Sequence, residues 1–185
     1  MDYPFKSLSN RLLGSSNGLI CMRLFARYRN LVCLWNPTTR EYKEIQPLSS
    51  IEPYDRVRLH DFGYDRKTDD YKLEIGVQTD RRMSSTLVQV FALASDSWKT
   101  GKTIPYWFSR DQRYGVICNG DFHWLAAPLD QDIYFLLSFD ISDETFKEMQ
   151  LPKEIFKEYM YQYLFLGVLE GRLCILFSSV GLTST

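Results

Sequence analysis

Histidine is scarce in this chain, cysteines are unpaired and the charge is balanced, and each shortage removes a class of function. The two histidines, His60 and His123, leave little material for acid–base chemistry. His123 follows Asn119-Gly120 in an apolar segment and reads as a structural residue. Cys21, Cys33, Cys118 and Cys174 are widely spaced with no C-x-x-C, so they read as free thiols packed as small hydrophobes in a reducing compartment. No metal-ligand spacing, P-loop or G-x-G-x-x-G occurs, so neither metal nor cofactor is implied. With 22 Lys and Arg against 23 Asp and Glu, net charge -1, there is no global field to hold a polyanion, and nucleic acid is disfavoured as a partner. No run approaches the roughly 18 apolar residues of a membrane span, Met1 to Asn10 lacks the apolar core of a signal peptide, and no Asn-x-Ser/Thr sequon occurs. A cytosolic or nuclear location fits all of these absences.

What the chain does have is apolar and aromatic residues, 45% and 15% of its 185 residues, enough to bury a core. Four times an aromatic is followed seven residues later by another aromatic and a Lys: Trp35 to Tyr42-Lys43, Tyr64 to Tyr71-Lys72, Phe91 to Trp98-Lys99, and Phe139 to Phe146-Lys147. Between each pair lies a polar stretch whose Asx, Ser and Thr side chains can bond their own backbone, so each unit predicts a β-hairpin. The segments leading in, such as Leu31-Val32-Cys33-Leu34-Trp35, are short and apolar and suit strands. Asn17-Gly18, Asn119-Gly120 and Glu170-Gly171 mark a second set of tight turns, with Gly supplying positive φ. Two hairpins per repeat give four strands, over about Leu12 to Pro47, Leu59 to Pro105 and Gly115 to Pro152, with another repeat starting near Leu166. Gly120 and Gly171 are separated by roughly the length of one propeller blade, about 40 to 50 residues. The expected fold is all-β: an incomplete, kelch-like β-propeller of about three four-stranded blades plus part of a fourth, forming a single domain over residues 1–185.

Gly14-Ser15-Ser16-Asn17-Gly18-Leu19-Ile20-Cys21, Leu34-Trp35-Asn36-Pro37-Thr38-Thr39-Arg40, Phe62-Gly63-Tyr64-Asp65 with Thr68-Asp69-Asp70-Tyr71-Lys72, Asp96-Ser97-Trp98-Lys99, Asn119-Gly120 with His123-Trp124, and Ser138-Phe139-Asp140 with Glu144-Thr145-Phe146 occur in this order along the chain. Together they resemble the F-box-associated interaction domain of flowering-plant F-box proteins, most densely the S-locus F-box-like group. The resemblance implies a module that captures a protein for ubiquitination while an N-terminal F-box docks on Skp1 of an SCF ubiquitin ligase. In the S-locus group it implies an S-RNase target and a role in self-incompatibility. The chain departs from that pattern in lacking an F-box ahead of the first repeat and in stopping partway through the fourth. It is expected to be a fragment or a truncated paralogue, with Skp1 and cullin as partners only in a longer form. The alternative is a chain that binds a target without ubiquitination, or has no function. An unclosed ring exposes strand edges, so marginal stability or self-association is expected.

In a four-stranded blade, the turns joining strands one to two and three to four emerge on one face, and the remaining connections on the other. The first kind is short here. The second is long: Arg23 to Asn30, Gln78 to Thr86, Ala127 to Tyr134, Ser49 to Arg58, Tyr106 to Arg113 and Lys153 to Gln162. Variable loops on a rigid scaffold commonly carry binding, so the partner surface is expected there. Its candidates are Arg23, Arg27, Arg29, Arg81, Arg82, Tyr106, Trp107, Arg110, Arg113, Asp130 and Asp132, accompanied by Tyr28 and Phe108, because Arg with aromatics is the composition of binding hot spots. No catalytic set emerges, and the chain is not expected to be an enzyme. Cys118 and His123 form no evident nucleophilic pair, and Asp65, Asp69, Asp70, Asp140, Asp143 and Glu144 fall in the repeated turns as turn formers rather than as paired acids. Lys43, Lys72, Lys99 and Lys147 point away from their aromatic neighbours and are expected to be solvated.

Overall fold

The computed structural model describes residues 9–26, 29–46, 57–78, 85–99, 101–108, 115–128, 134–151 and 163–178, and every element among them is a strand. Blade 1 is an antiparallel meander of β1 (Ser9–Ser16), β2 (Leu19–Ala26), β3 (Arg29–Trp35) and β4 (Tyr42–Ile45). Blade 2 contains β5 (Val57–Asp65), β6 (Asp70–Gln78) and β7 (Thr86–Ala92), with an outer strand split into β8 (Ser97–Trp98) and β9 (Lys102–Ile104). Both pieces pair with β7, and one extra residue between them shifts the register, as in a bulge. Blade 3 is β10 (Val116–Cys118), β11 (Asp121–Ala126), β12 (Phe135–Asp140) and β13 (Thr145–Gln150). A fourth blade contributes β14 (Tyr163–Leu169) and β15 (Arg172–Ser178). The architecture is the expected incomplete propeller, and the first described strand of the fourth blade opens at Tyr163, slightly ahead of the expected start near Leu166.

Turn chemistry sets this register. Asn17 and Gly18 have φ of 45° and 82°, Asn119 and Gly120 55° and 92°, and Glu170 and Gly171 49° and 73°. Two successive positive φ values give the turn whose twist matches the flanking strands. The other hairpins share a different device. Asn36 Oδ1 accepts from the Thr38 and Thr39 amides, Asp65 Oδ1 from those of Lys67 and Thr68, and Asp140 Oδ1 from those of Ser142 and Asp143. Each chain then leaves the turn through a left-handed residue, Arg40, Asp69 or Glu144. The Leu93 to Asp96 turn has Ala92 where the others have Asx, and Asp70 of the neighbouring hairpin accepts the Ala94 amide instead, at 2.9 Å.

Strand alternation distributes the core between blades. Leu73, Ile75 and Val77 of β6 join Cys21, Val32, Leu34 and Ile45 of blade 1. Leu59, Val88 and Val90 of blade 2 pack on Phe122, Trp124, Leu137 and Phe139 of blade 3. Burying each of those aromatics contributes roughly 2–3 kcal/mol relative to exposure. Leu125, Leu136 and Leu151 in turn meet Leu164, Leu166, Leu173 and Ile175. Inner strands approach closely: a Cβ on Gly14 of β1 would lie 3.0 Å from Phe62 Cβ and 3.1 Å from the Phe62 backbone nitrogen of β5, a tight fit that favours glycine.

Candidate partner-binding surfaces

The short turns of three blades converge on a cleft of about 740 Å³. Blade 1 contributes Ser16 and Asn17, blade 2 Gly63, Tyr64, Arg66 and Lys67, and blade 3 Ile117, Asn119 to Phe122 and Asp140 to Asp143. Its walls are fixed by an ion network between blades 2 and 3. Asp65 is fully buried and accepts from Thr68 Oγ1 at 2.6 Å and Ser142 Oγ at 2.5 Å, while Lys72 Nζ lies 2.9 Å away. Burial alone would raise the Asp65 carboxyl, but the hydrogen bonds from Ser142, Thr68 and Lys72 outweigh it and hold it well below the usual carboxylate range. Lys72 also donates to the Ile141 carbonyl at 2.6 Å and pairs with Glu144 at 3.3 Å. Lys67 and Asp143 join the two turns across the cleft at 2.5 Å.

Lys72 therefore corrects the expectation of solvated lysines, being 3% exposed. Its motif sits on β6, a central strand covered by a blade on each side, whereas Lys43, Lys99 and Lys147 belong to outer edges. Lys43 pairs with Asp96 and Lys99 with Glu144, both at partly exposed positions.

Two charged groups in the cleft differ from these. Among the described residues, Arg66 and Asp121 make no side-chain ion pair, and the Asp121 carboxyl is raised by burial and by the nearby Asp140 charge. Ile117, 40% exposed, supplies an apolar floor beside them. This pattern of cation, anion and apolar contact suits a polypeptide side-chain surface. Neither is among the long-loop candidates, since Arg66 lies in a short turn and Asp121 opens β11. The available signal was departure from the repeat: Arg66 stands where Pro37 and Ile141 stand, and Asp121 where Leu19 follows Asn17-Gly18.

The long-loop candidates divide differently. Arg23 lies within β2 rather than in a loop and is 5% exposed, because β2 runs on to Ala26. Arg29 opens β3. Tyr106 and Trp107 tie blade 2 to blade 3: Tyr106 donates to Glu148, and Trp107 exchanges backbone hydrogen bonds with Ala127 at 3.0 and 3.2 Å. Phe108 is 2% exposed and belongs to the core. Arg27, Arg81, Arg82, Arg110, Arg113, Asp130 and Asp132 lie outside the described residues.

The remaining chemistry-bearing side chains serve the fold. His123 Nδ1 is 3.1 Å from its neighbour Asp121's carbonyl, and Cys118 Sγ donates to the Gly171 carbonyl at 3.4 Å, joining blade 3 to the fourth. Among the described residues no three His, Cys, Asp or Glu side chains converge as a metal set, and no helix is long and apolar enough to cross a membrane.

Strand order and blade packing define an incomplete β-propeller with a turn-lined cleft. The sequence profile of the F-box associated beta propeller domain matches residues 9–184, and the chain belongs to that family. It is 32% identical over 158 residues to the putative F-box protein At3g21120 of Arabidopsis thaliana, covering 83% of this chain and 41% of that protein. It is similar to two further Arabidopsis thaliana proteins, the F-box/kelch-repeat protein At3g23880 (27% identity, 77% of this chain, 39% of the relative) and the F-box protein CPR1 (26%, 95% and 48%). The chain thus spans less than half the length of each of these relatives.

Proposed function

We propose that this chain is the target-capturing part of an F-box protein, a non-enzymatic module that holds a polypeptide while an F-box elsewhere in a longer product docks on Skp1 and cullin. The family match over residues 9–184 is the observation that carries this reading. The cleft adds a rigid surface whose Arg66, Asp121 and Ile117 are available to a protein ligand. Work in the cytosol or nucleus follows from that role. Resemblance to the S-locus group makes a secreted ribonuclease of the S-RNase type one specific target to test.

A second capture surface is the long-loop face, favoured by its density of arginines: Arg27, Arg29, Arg81, Arg82, Arg110 and Arg113, with Asp130 and Asp132. Tyr106 and Trp107 then act as its base, since both are anchored to blade 3. Affinity capture from plant extract with the full chain separates the two surfaces. Cleft recognition predicts that combined Arg66→Glu and Asp121→Lys abolishes specific co-purification while the melting profile holds. Loss on Arg81→Glu with Arg82→Glu instead assigns capture to the loops, and retention by both variants overturns both surfaces.

A further inference from the structure

The inner strands of three blades leave a second hollow between them, of about 260 Å³. β1 lines it with Leu12 and Leu13, β5 with Asp61 and Phe62, and β10 with Ile117. The turn-lined cleft takes the next residues along two of these strands, Ser16 of β1 and Gly63 of β5, and Ile117 belongs to both hollows. The mouth is apolar for a local reason. β1 bulges at Leu13, which has no partner on β2, and Leu12 beside it is left 56% exposed, with Ile117 40% exposed.

Asp61 is the one ionisable side chain of this lining, and it is 6% exposed. Its Oδ2 accepts from Trp124 Nε1 at 2.7 Å and from the Gly115 amide at 3.0 Å, which leaves Oδ1 without a hydrogen bond among the described residues. Among those residues the unpartnered carboxyl oxygens sealed from solvent belong to Glu74 alone, so Asp61 Oδ1 is reached from the hollow. The chain supplies no described cation to it. Opposite Asp61 on β6 stands another acid, Glu74, and Lys72 on the same face of β6 is committed to Asp65 and Glu144. Burial raises the Asp61 carboxyl well above the usual carboxylate range, against the hydrogen bonds from Trp124 and Gly115. A cation in contact restores the ionised form that burial disfavours.

We propose that this hollow receives the side chain of a lysine from the polypeptide held in the cleft, with its stem along Leu12 and Ile117 and its ammonium on Asp61 Oδ1. The proposal rests on the reading that the cleft captures a polypeptide, and it names one residue that the polypeptide must carry. Apolar walls ending at a single buried carboxyl suit lysine, which lays its methylenes on apolar surface and carries a compact charge at the tip. Arginine fits less well, because five N–H donors would meet one free carboxyl oxygen. At about 260 Å³ the space lies below the about 300–1,000 Å³ of sites for drug-sized ligands, so it takes a side chain rather than a cofactor.

The Trp124 indole N–H, which donates to Asp61, reports on the site. ¹⁵N NMR of the full chain, with Trp124→Phe assigning the resonance, follows a titration with n-butylammonium. The expected result is a saturable shift with a Kd in the millimolar range, as a ligand of about five heavy atoms allows, and binding of n-butanol about tenfold weaker. Asp61→Asn keeps an acceptor for Trp124 and Gly115 yet abolishes saturation. Leu12→Lys, at an exposed position, abolishes it by placing its own ammonium at Asp61. In affinity capture from plant extract, Asp61→Asn lowers recovery of the specific partner about tenfold or more. A shift that does not saturate, an equal response to n-butanol, a response that persists in both variants, or undiminished capture by Asp61→Asn overturns the proposal. Failure of the cleft shows instead as capture retained by Arg66→Glu with Asp121→Lys, a variant in which the n-butylammonium response is unchanged, so the two readings fail separately.

Discussion

At the scale of single residues, buried charge decides the pH response. Glu74 is fully buried between blades 2 and 3, and among the described residues neither carboxyl oxygen has a hydrogen-bond partner. Burial and then the neighbouring Asp61 carboxyl raise its pKa well above 4.5. An acid raised in the fold contributes stability that is complete below its unfolded value and is lost as pH rises. His60 acts on the other limb: burial lowers it from 6.5 to about 4, so its contribution is present above 6.5 and declines as pH falls towards 4. That decline amounts to about 3 kcal/mol at the acid end. Glu74→Gln is therefore expected to raise Tm at pH 8 by several degrees and to leave it unchanged near pH 4. Melting curves across that range check the sign, and an equal shift at both ends contradicts it. Lys72 supplies a second prediction. Lys72→Ala leaves Asp65 buried without its ammonium and should cost about 3–5 kcal/mol in denaturant unfolding. Lys99→Ala, at a half-exposed pair, should cost under about 1 kcal/mol.

At the scale of elements, the hairpins show what was legible. Aromatic pairs seven residues apart, the Asx side chains between them and the Asn-Gly turns are local signals, because each turn is closed by atoms a few residues apart. They located all four blades to within a few residues. Strand position within a blade is not local. One aromatic-Lys motif lies on β6, whose faces are both covered, and three lie on outer strands, so identical residues end buried or exposed according to partners far along the chain. Arg23 falls in a strand rather than a loop for the same reason, since β2 continues past this charged residue to Ala26. The cleft is not legible for the same reason: Arg66 and Asp121 line one cleft only because segments of different blades converge. Turn conformation itself is testable. A Cβ on Gly18 or Gly120 meets nothing within 4 Å, yet their φ values are 82° and 92°. Gly18→Ala and Gly120→Ala should each cost about 1–2 kcal/mol through backbone strain alone. The costs should add in the double variant, since the sites share no partner; urea titration reads both.

At the scale of the whole molecule, the fourth blade leaves apolar surface in water. Leu169 and Leu176 are 69% and 60% exposed on the β14–β15 hairpin. Exposed apolar sheet of this kind promotes association. Sedimentation equilibrium of the isolated chain should show concentration-dependent self-association, weakened about tenfold or more by Leu169→Lys with Leu176→Lys, as expected when two buried leucines are lost. A monomer at all concentrations would show that this face is not sticky. The latched turns make the opposite face rigid, with Lys67–Asp143 and the Asp65–Lys72–Glu144 network holding blades 2 and 3 in one arrangement. A rigid turn face and a family built on F-box proteins together support capture rather than catalysis.

The most direct test of that account is to isolate the native gene product from plant tissue after mild cross-linking, determine its intact mass and identify the proteins that accompany it. The account predicts a species larger than 21.8 kDa that carries Skp1, a cullin and at least one further protein cross-linked to the propeller. A 21.8 kDa species without Skp1 or any cross-linked protein would contradict it.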